Sequence, residues 1–195
     1  MSKAGKNGVT AKTSKNIPFG AGTIHKNLKY TEGKGWNFDE SIVGATSGGS
    51  KYSLVPEIKQ IEIDGVFVRA KGFDKKTGET AKMEINFAEY SPDLIKTTVI
   101  GKEVTSEDAV YTKIVTKPDI EEGDYWDNIA FVGETLDHQK IIVIMDNALC
   151  TSGFEGEGKN KENGTMAVTF ECSAELDEES EFDVLPVAIY YPAKA

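Results

Sequence analysis

The sequence predicts a mainly β fold: a β-sandwich or partly closed barrel with one short flanking α-helix, about Pro92–Ile100, and long loops. Three observations predict it. Apolar and polar residues alternate in short runs, such as Met83, Ile85, Phe87 and again Met166, Val168, Phe170, Cys172. That two-residue period gives a strand one buried face. Turn dipeptides punctuate the runs, at Asp64-Gly65 and Asn163-Gly164, and only one stretch carries helix signals.

From the start, residues 1–16 hold Lys3, Lys6, Lys12 and Lys15 with no acid and little apolar content. They are expected to form a flexible arm before a single domain spanning 17–195. Ile17 to Ile24 brings Gly20, Gly22 and the first apolar cluster, and Tyr30, Trp36 and Phe38 follow among glycines and charges, a texture of short strands and long connections. The stretch Val43 to Gly72 organises the first half. Gly44-Ala45-Thr46-Ser47-Gly48-Gly49-Ser50 is expected to be a mobile loop, free before docking. It leads into a hairpin in which Ile61 and Ile63 alternate with polar residues, Asp64-Gly65 turns, and Val66 to Ala70 returns.

Lys82 to Phe87 is the next strand, and a helix signal follows at once: Ser91 as N-cap, Pro92 in the first turn, Asp93 at the positive end of the dipole, and Gly101 as the stop. Such a short helix has to be held against a sheet. Tyr111–Thr116, Asn128–Gly133 and Lys140–Met145 read as strands, and 153–164 as a polar, glycine-rich loop. Thr165 to Cys172 alternates cleanly, which places Cys172 in the core as a small apolar residue. Glu175 to Asp183 is an acidic, solvated connection, and Leu185–Tyr191 is the last strand.

At 195 residues and 21.3 kDa the chain suits one domain with a substantial core. Its net charge of −10 argues against tight binding to a phosphate backbone. The charge is uneven, with 18 acids between Asp119 and Asp183 against Lys140, Lys159 and Lys161. Ile141 to Met145 is the longest strongly apolar run, far short of the ~20 residues of a membrane helix. No apolar segment follows the first lysines, so synthesis in a cytoplasm is expected. Cys150 and Cys172 make no metal-spaced pair and are compatible with free thiols or a single bridge.

Catalytic chemistry has little to stand on. His25 and His138 are the only histidines, and neither has a metal-binding spacing or a nucleophile elbow to serve. The Gly44–Lys51 stretch lacks the Gly-Lys-Ser/Thr ending of a phosphate loop. Asn163-Gly164-Thr165 reads as a turn rather than a glycosylation acceptor. Two other functions are weighed: a carboxylate-dependent hydrolase using a pair such as Glu155 and Glu157, and a stand-alone module binding carbohydrate or protein through Tyr30, Trp36, Tyr125 and Trp126.

The order of several elements resembles a known family. These are Ile17-Pro18-Phe19-Gly20-Ala21-Gly22-Thr23-Ile24, the Gly44–Ser50 segment, Ile63-Asp64-Gly65 with Lys71-Gly72, and the strand and helix from Met83 to Gly101. In the second half they are Phe131-Val132-Gly133-Glu134, Asn147-Ala148-Leu149 and Val168-Thr169-Phe170-Glu171. From Ile17 onward the chain resembles the major tail tube proteins of long-tailed bacteriophages and phage-tail-like particles. The resemblance implies a structural virion protein, a β-sandwich flanked by a helix, made in a bacterial host cytoplasm. Its subunits would form hexameric rings that stack into a hollow tube, a conduit for double-stranded DNA that is not bound specifically. Sheath, baseplate or tail-tip and tail terminator proteins would be further partners. No enzyme activity, catalytic residue, cofactor or metal ligand is implied. Acids after Asp119, or on the polar hairpin face, are expected to line the channel, where they would repel phosphates and let DNA slide.

Overall fold

The computed structural model describes residues 6–156, 158, 160, 161, 163–176 and 184–192. Seven strands form one antiparallel sheet, in the order β1-β8-β9-β10-β5-β4, with β11 also paired to β9. The strands are β1 (Pro18–Lys26), β4 (Thr46–Gln60), β5 (Asp74–Phe87), β8 (Trp126–Thr135), β9 (Lys140–Cys150), β10 (Met166–Cys172) and β11 (Val187–Tyr190). Two small hairpins lie outside it, β2 (Tyr30–Thr31) with β3 (Gly35–Trp36) and β6 (Gly101–Val104) with β7 (Lys113–Thr116).

The sheet divides at β9. β8 runs along one edge of β9, while the other edge is shared end to end: Ile142–Met145 pairs with β11 and Ala148–Cys150 with β10. Asn147, at φ 48°, stands between the two segments. A strand that belongs to two sheets in succession turns the corner of a sandwich. Beyond the corner, β10-β5-β4 folds back until Tyr52 of β4 meets Phe131 of β8, with ring centroids 5.0 Å apart. The result is sandwich-like, with no closed barrel.

The core lies between these layers. Met83, Ile85 and Phe87 of β5, Met166, Val168 and Phe170 of β10, and Ile129, Val143 and Met145 of β8 and β9 are buried in it. The period-two faces read in β5 and β10 are therefore the core faces. Cys172 packs at the margin of this cluster, half-buried, and its Sγ donates to the Asp146 carbonyl at 3.0 Å. A second apolar cluster occupies the opposite face of β8 and β9, where Leu28, Trp36 and Phe38 cover Ala130, Val132, Ile142 and Ile144. With both faces covered, the apolar run Ile141 to Met145 has no polar alternate. Asn128 ties this cover down: its Oδ1 accepts from Leu28 N at 2.8 Å and its Nδ2 donates to the Leu28 carbonyl.

Among the described residues there are two α-helices instead of one. α1 (Phe38–Ser41) is too short for its sequence to carry a helical period. α2 (Pro92–Thr98) begins as expected, with Ser91 Oγ accepting from Leu94 N at 3.2 Å. Leu94 and Thr98 are its buried residues. Its end differs from expectation. The left-handed residue is Ile100, at φ 47°, rather than Gly101. Gly101 is already in β6, and there a Cβ would lie 2.8 Å from the Val115 carbonyl and 2.7 Å from Val99 Cγ2. Glycine is thus required by close backbone approach, and the unusual torsion falls on its β-branched neighbour.

The segment expected as an arm forms single 3-10 turns at Lys6–Gly8 and Ser14–Asn16. Its end meets the sheet, where Tyr191 Oη donates to Asn16 Oδ1 at 2.8 Å. Lys3, in the first five residues, lies outside the described residues, as does 177–183 of the acidic connection.

Candidate functional site

The most distinctive surface is the β4–β5 hairpin. Its pairing runs from Thr46↔Phe87 to Gln60↔Asp74. The root of β5 is fixed by Ala81, Met83, Ile85 and Phe87, each fully buried. No core lies under the outer half. From Leu54 to Gln60 every residue of β4 is exposed, a length of about 20 Å at ~3.3 Å per residue. The last tertiary anchor along β5 is Glu79, whose Oε1 accepts from Leu185 N. Apolar side chains face solvent on both sides of this anchor: Leu54 and Val55 just before it on β4, Ile58 beyond it, Ile61, Ile63 and Val66 in the loop, then Phe67 at 95 % exposure and Val68 at 75 %.

This arrangement corrects the expected hairpin. The Asp64-Gly65 turn is present, with Val66 N donating to the Ile63 carbonyl at 3.1 Å, but it does not join two strands. Residues 61–73 are a loop, and Val66 to Ala70 has no strand partner. The true partner of β4 is 74–87, since that register buries the alternating face of β5. The Gly44–Ser50 stretch is corrected as well. Thr46 to Ser50 belongs to β4, and Gly48 and Gly49, at φ 84° and 82°, form the bulge where the register shifts between Thr46 and Ser50. The chain pairs here with β5 rather than staying free. That strand geometry also removes any phosphate cradle.

Of the residues weighed for other functions, few are brought together. Trp126 is buried, packed at a tilt against Phe170 with ring centroids 4.5 Å apart, and Lys26 Nζ lies 4.6 Å from its ring. Trp36 turns to Tyr30 and Tyr190. An exposed aromatic platform of Tyr30, Trp36, Tyr125 and Trp126 therefore does not form. Of the carboxylate pair, Glu157 lies outside the described residues. Among the described residues, no group of three or more His, Cys, Asp or Glu side chains is placed as a metal site. Cys150 and Cys172 are free thiols. Burial pushes the Cys172 thiol up to about 12 and the nearby Asp146 carboxylate adds to it, while burial also raises Cys150. Neither is a nucleophile at neutral pH, so in the folded protein both are expected to react with a thiol reagent far more slowly than in denaturant. Equal labelling rates in the two conditions would contradict this.

Acids do gather on one side. Glu122, Asp127 and Glu175 border a cleft of 440 Å³ together with Tyr125, Trp126, Asn147 and Leu176. Burial raises the neighbouring Asp146 carboxyl, and Asp127 raises it further.

The outer hairpin was hidden in the sequence. Tyr52, Leu54 and Ile58 keep a period of two, but Asp74 to Thr80 is polar on both faces. A strand with no buried face gives no alternation to read. No model of a known protein family matches the chain, and no curated protein matches it.

Proposed function

We propose that this chain is a self-assembling tube subunit like the major tail tube proteins, its rings of six stacking into a hollow conduit for double-stranded DNA. One observation carries the reading: an exposed hairpin arm about 20 Å long with apolar side chains over its length and tip. A monomeric domain gains nothing from such a surface and risks aggregation through it. An assembly that covers it gains the burial of Phe67, Val68 and Ile58. Two further features fit. β4 ends the main run of the sheet on one side, so the outer edge of its exposed half is available to a strand of a neighbouring copy, whereas the edge of β1 is already met by Ile42 and Val43. Residues 7–16 are nearly all exposed and lysine-bearing, while the acids are concentrated beyond Asp119, a complementarity that favours contact between copies.

In this reading the docking element is the distal hairpin, not the Gly44–Ser50 segment. Acidic side chains around the Glu122, Asp127 and Glu175 cleft are candidates for the lumen. Sheath, baseplate or tail-tip and tail terminator proteins are the further partners, and the location is the virion. Negative-stain microscopy at rising protein concentration tests the proposal. Rings and tubes are expected, and a strict monomer at all concentrations overturns it. Tubes with a lysine-lined channel would keep the tube and remove the acidic lumen.

The arm itself has a sharper test. Phe67→Asp is expected to leave the thermal midpoint unchanged, because a 95 % exposed ring contributes almost nothing to the monomer. The protein concentration needed for tubes should rise at least ~10-fold, since burying such a ring is worth about 1.5–3 kcal/mol. Tubes forming at the wild-type concentration would exclude the tip from the contact.

A further inference from the structure

His25 is fully buried and joins α1 to β1 through both of its ring nitrogens. Its Nδ1 lies 2.8 Å from Ser41 Oγ of α1, and its Nε2 lies 2.7 Å from Thr23 Oγ1 of β1. Ser41 Oγ donates to the Asn37 carbonyl at 2.8 Å. Having spent its one proton there, it accepts from His25. Nδ1 therefore carries the hydrogen and Nε2 accepts from the Thr23 hydroxyl, so the ring is neutral with both nitrogens engaged. The same contact region holds the chain on its way to β4: His25 bridges to Ile42, and Val43 N donates to the Ile24 carbonyl at 3.0 Å.

The surroundings are unfavourable to a second proton. Phe38 of α1 meets the imidazole edge-on at 5.8 Å, and Lys140 Nζ of β9 sits 4.0 Å from the centre of the Phe38 ring. β8 contributes Ala130, paired with His25, and the Val132 carbonyl near Thr23. Asp39 and Glu40 of α1 are exposed, Glu134 of β8 stands opposite Lys140 in the strand register, and no carboxylate acts on His25 itself.

We propose that His25 is an acid-sensitive latch, whose uptake of a proton at Nε2 frees α1 and the link from Ile42 to Ala45 from β1 while the sheet stays folded. Protonation makes the Thr23 hydroxyl give up its short bond to Nε2 for the Val132 carbonyl 3.5 Å away, and puts a buried cation on the far side of the Phe38 ring from Lys140. The detached ring, hydrated, carries its charge at no such cost. The sign follows from the shift. Burial, then Lys140, hold the folded histidine below its ordinary 6.5, against a smaller opposite effect of the Phe38 carbonyl. The latch is therefore fully closed above pH 6.5 and weakens as pH falls toward the lower folded value. The inference does not depend on tube assembly.

Hydrogen exchange followed by NMR on the full-length monomer tests it. After correction for intrinsic chemistry, the protection of the Val43 amide should fall about 10-fold from pH 7 to pH 5, while amides of β8 at Ile129 and Phe131 keep theirs. A fall under about twofold, or one shared equally by β8, overturns the latch; the wild-type measurement alone decides. In His25→Gln, which retains a polar side chain but does not titrate, the pH dependence at Val43 should vanish. Its persistence would assign the effect to another group.

Discussion

Phe170→Ala should be the most damaging single change in the core, lowering stability by about 3–5 kcal/mol. The ring is completely buried in β10, between Cys150 of β9 and Met83 of β5, and it packs at a tilt against Trp126 with centroids 4.5 Å apart. Removing it opens a cavity that fixed strands on both sides are unable to close. A midpoint lower by about 10 °C is expected from calorimetry for a chain of this size. A loss below ~1 kcal/mol would mean that β10 is not a central strand.

Gly22→Ala should cost about 3 kcal/mol, an effect out of proportion to one methyl group. Gly22 sits at φ 69° in β1, and a Cβ there would come within 2.4 Å of Phe131 Cε2 and 2.9 Å of the Val132 carbonyl. The outer edge of the Phe131 ring lies against Gly22 and also against Gly133, whose Cβ would approach it to 2.7 Å. Its movement is restricted on one side by Tyr52 of β4, whose ring centroid lies 5.0 Å away. The two glycines and the ring act as one packing unit. Double replacement with Phe131→Leu should therefore recover part of the loss, and denaturant unfolding of the three variants checks this coupling. Equal costs with and without the large ring would leave only the torsion as the cause.

The strands that could be read directly are those with one wet and one dry face. Met83, Ile85, Phe87 and Met166, Val168, Phe170 announce their orientation in sequence, and the Ser91-Pro92-Asp93 start of α2 does the same through local chemistry. β9 shows its existence but not its setting, because a run of five apolar residues does not say what covers each side. The cover comes from Leu28, Trp36 and Phe38, about a hundred residues earlier. The outer hairpin was misread for a related reason. Asp64-Gly65 is a strong local turn signal, yet turn chemistry does not choose which segments pair, and the choice was made by the distant burial of β5. For the candidate surface, Phe67 and Val68 looked like strand residues because β-forming side chains and assembly side chains are the same ones.

The placement of β1 has a consequence for synthesis. Its partner is β8, and Thr23 lies 109 residues before Val132. At ~5–20 residues per second, a ribosome takes roughly 5–20 s to deliver the strand that β1 needs. Through that interval Ile24, Phe19 and the apolar hairpin tip are all in solvent on a growing chain, with an unpaired edge beside them. The strand made first waits while more than half of the chain is added, so a nascent chain emerging beside others on a polysome meets foreign edges before its own. Gly20 and Gly22, both in left-handed torsions, interrupt the flat ladder that such an encounter would need, and the register break between Phe19 and Thr23 doubles as protection of the unfinished molecule.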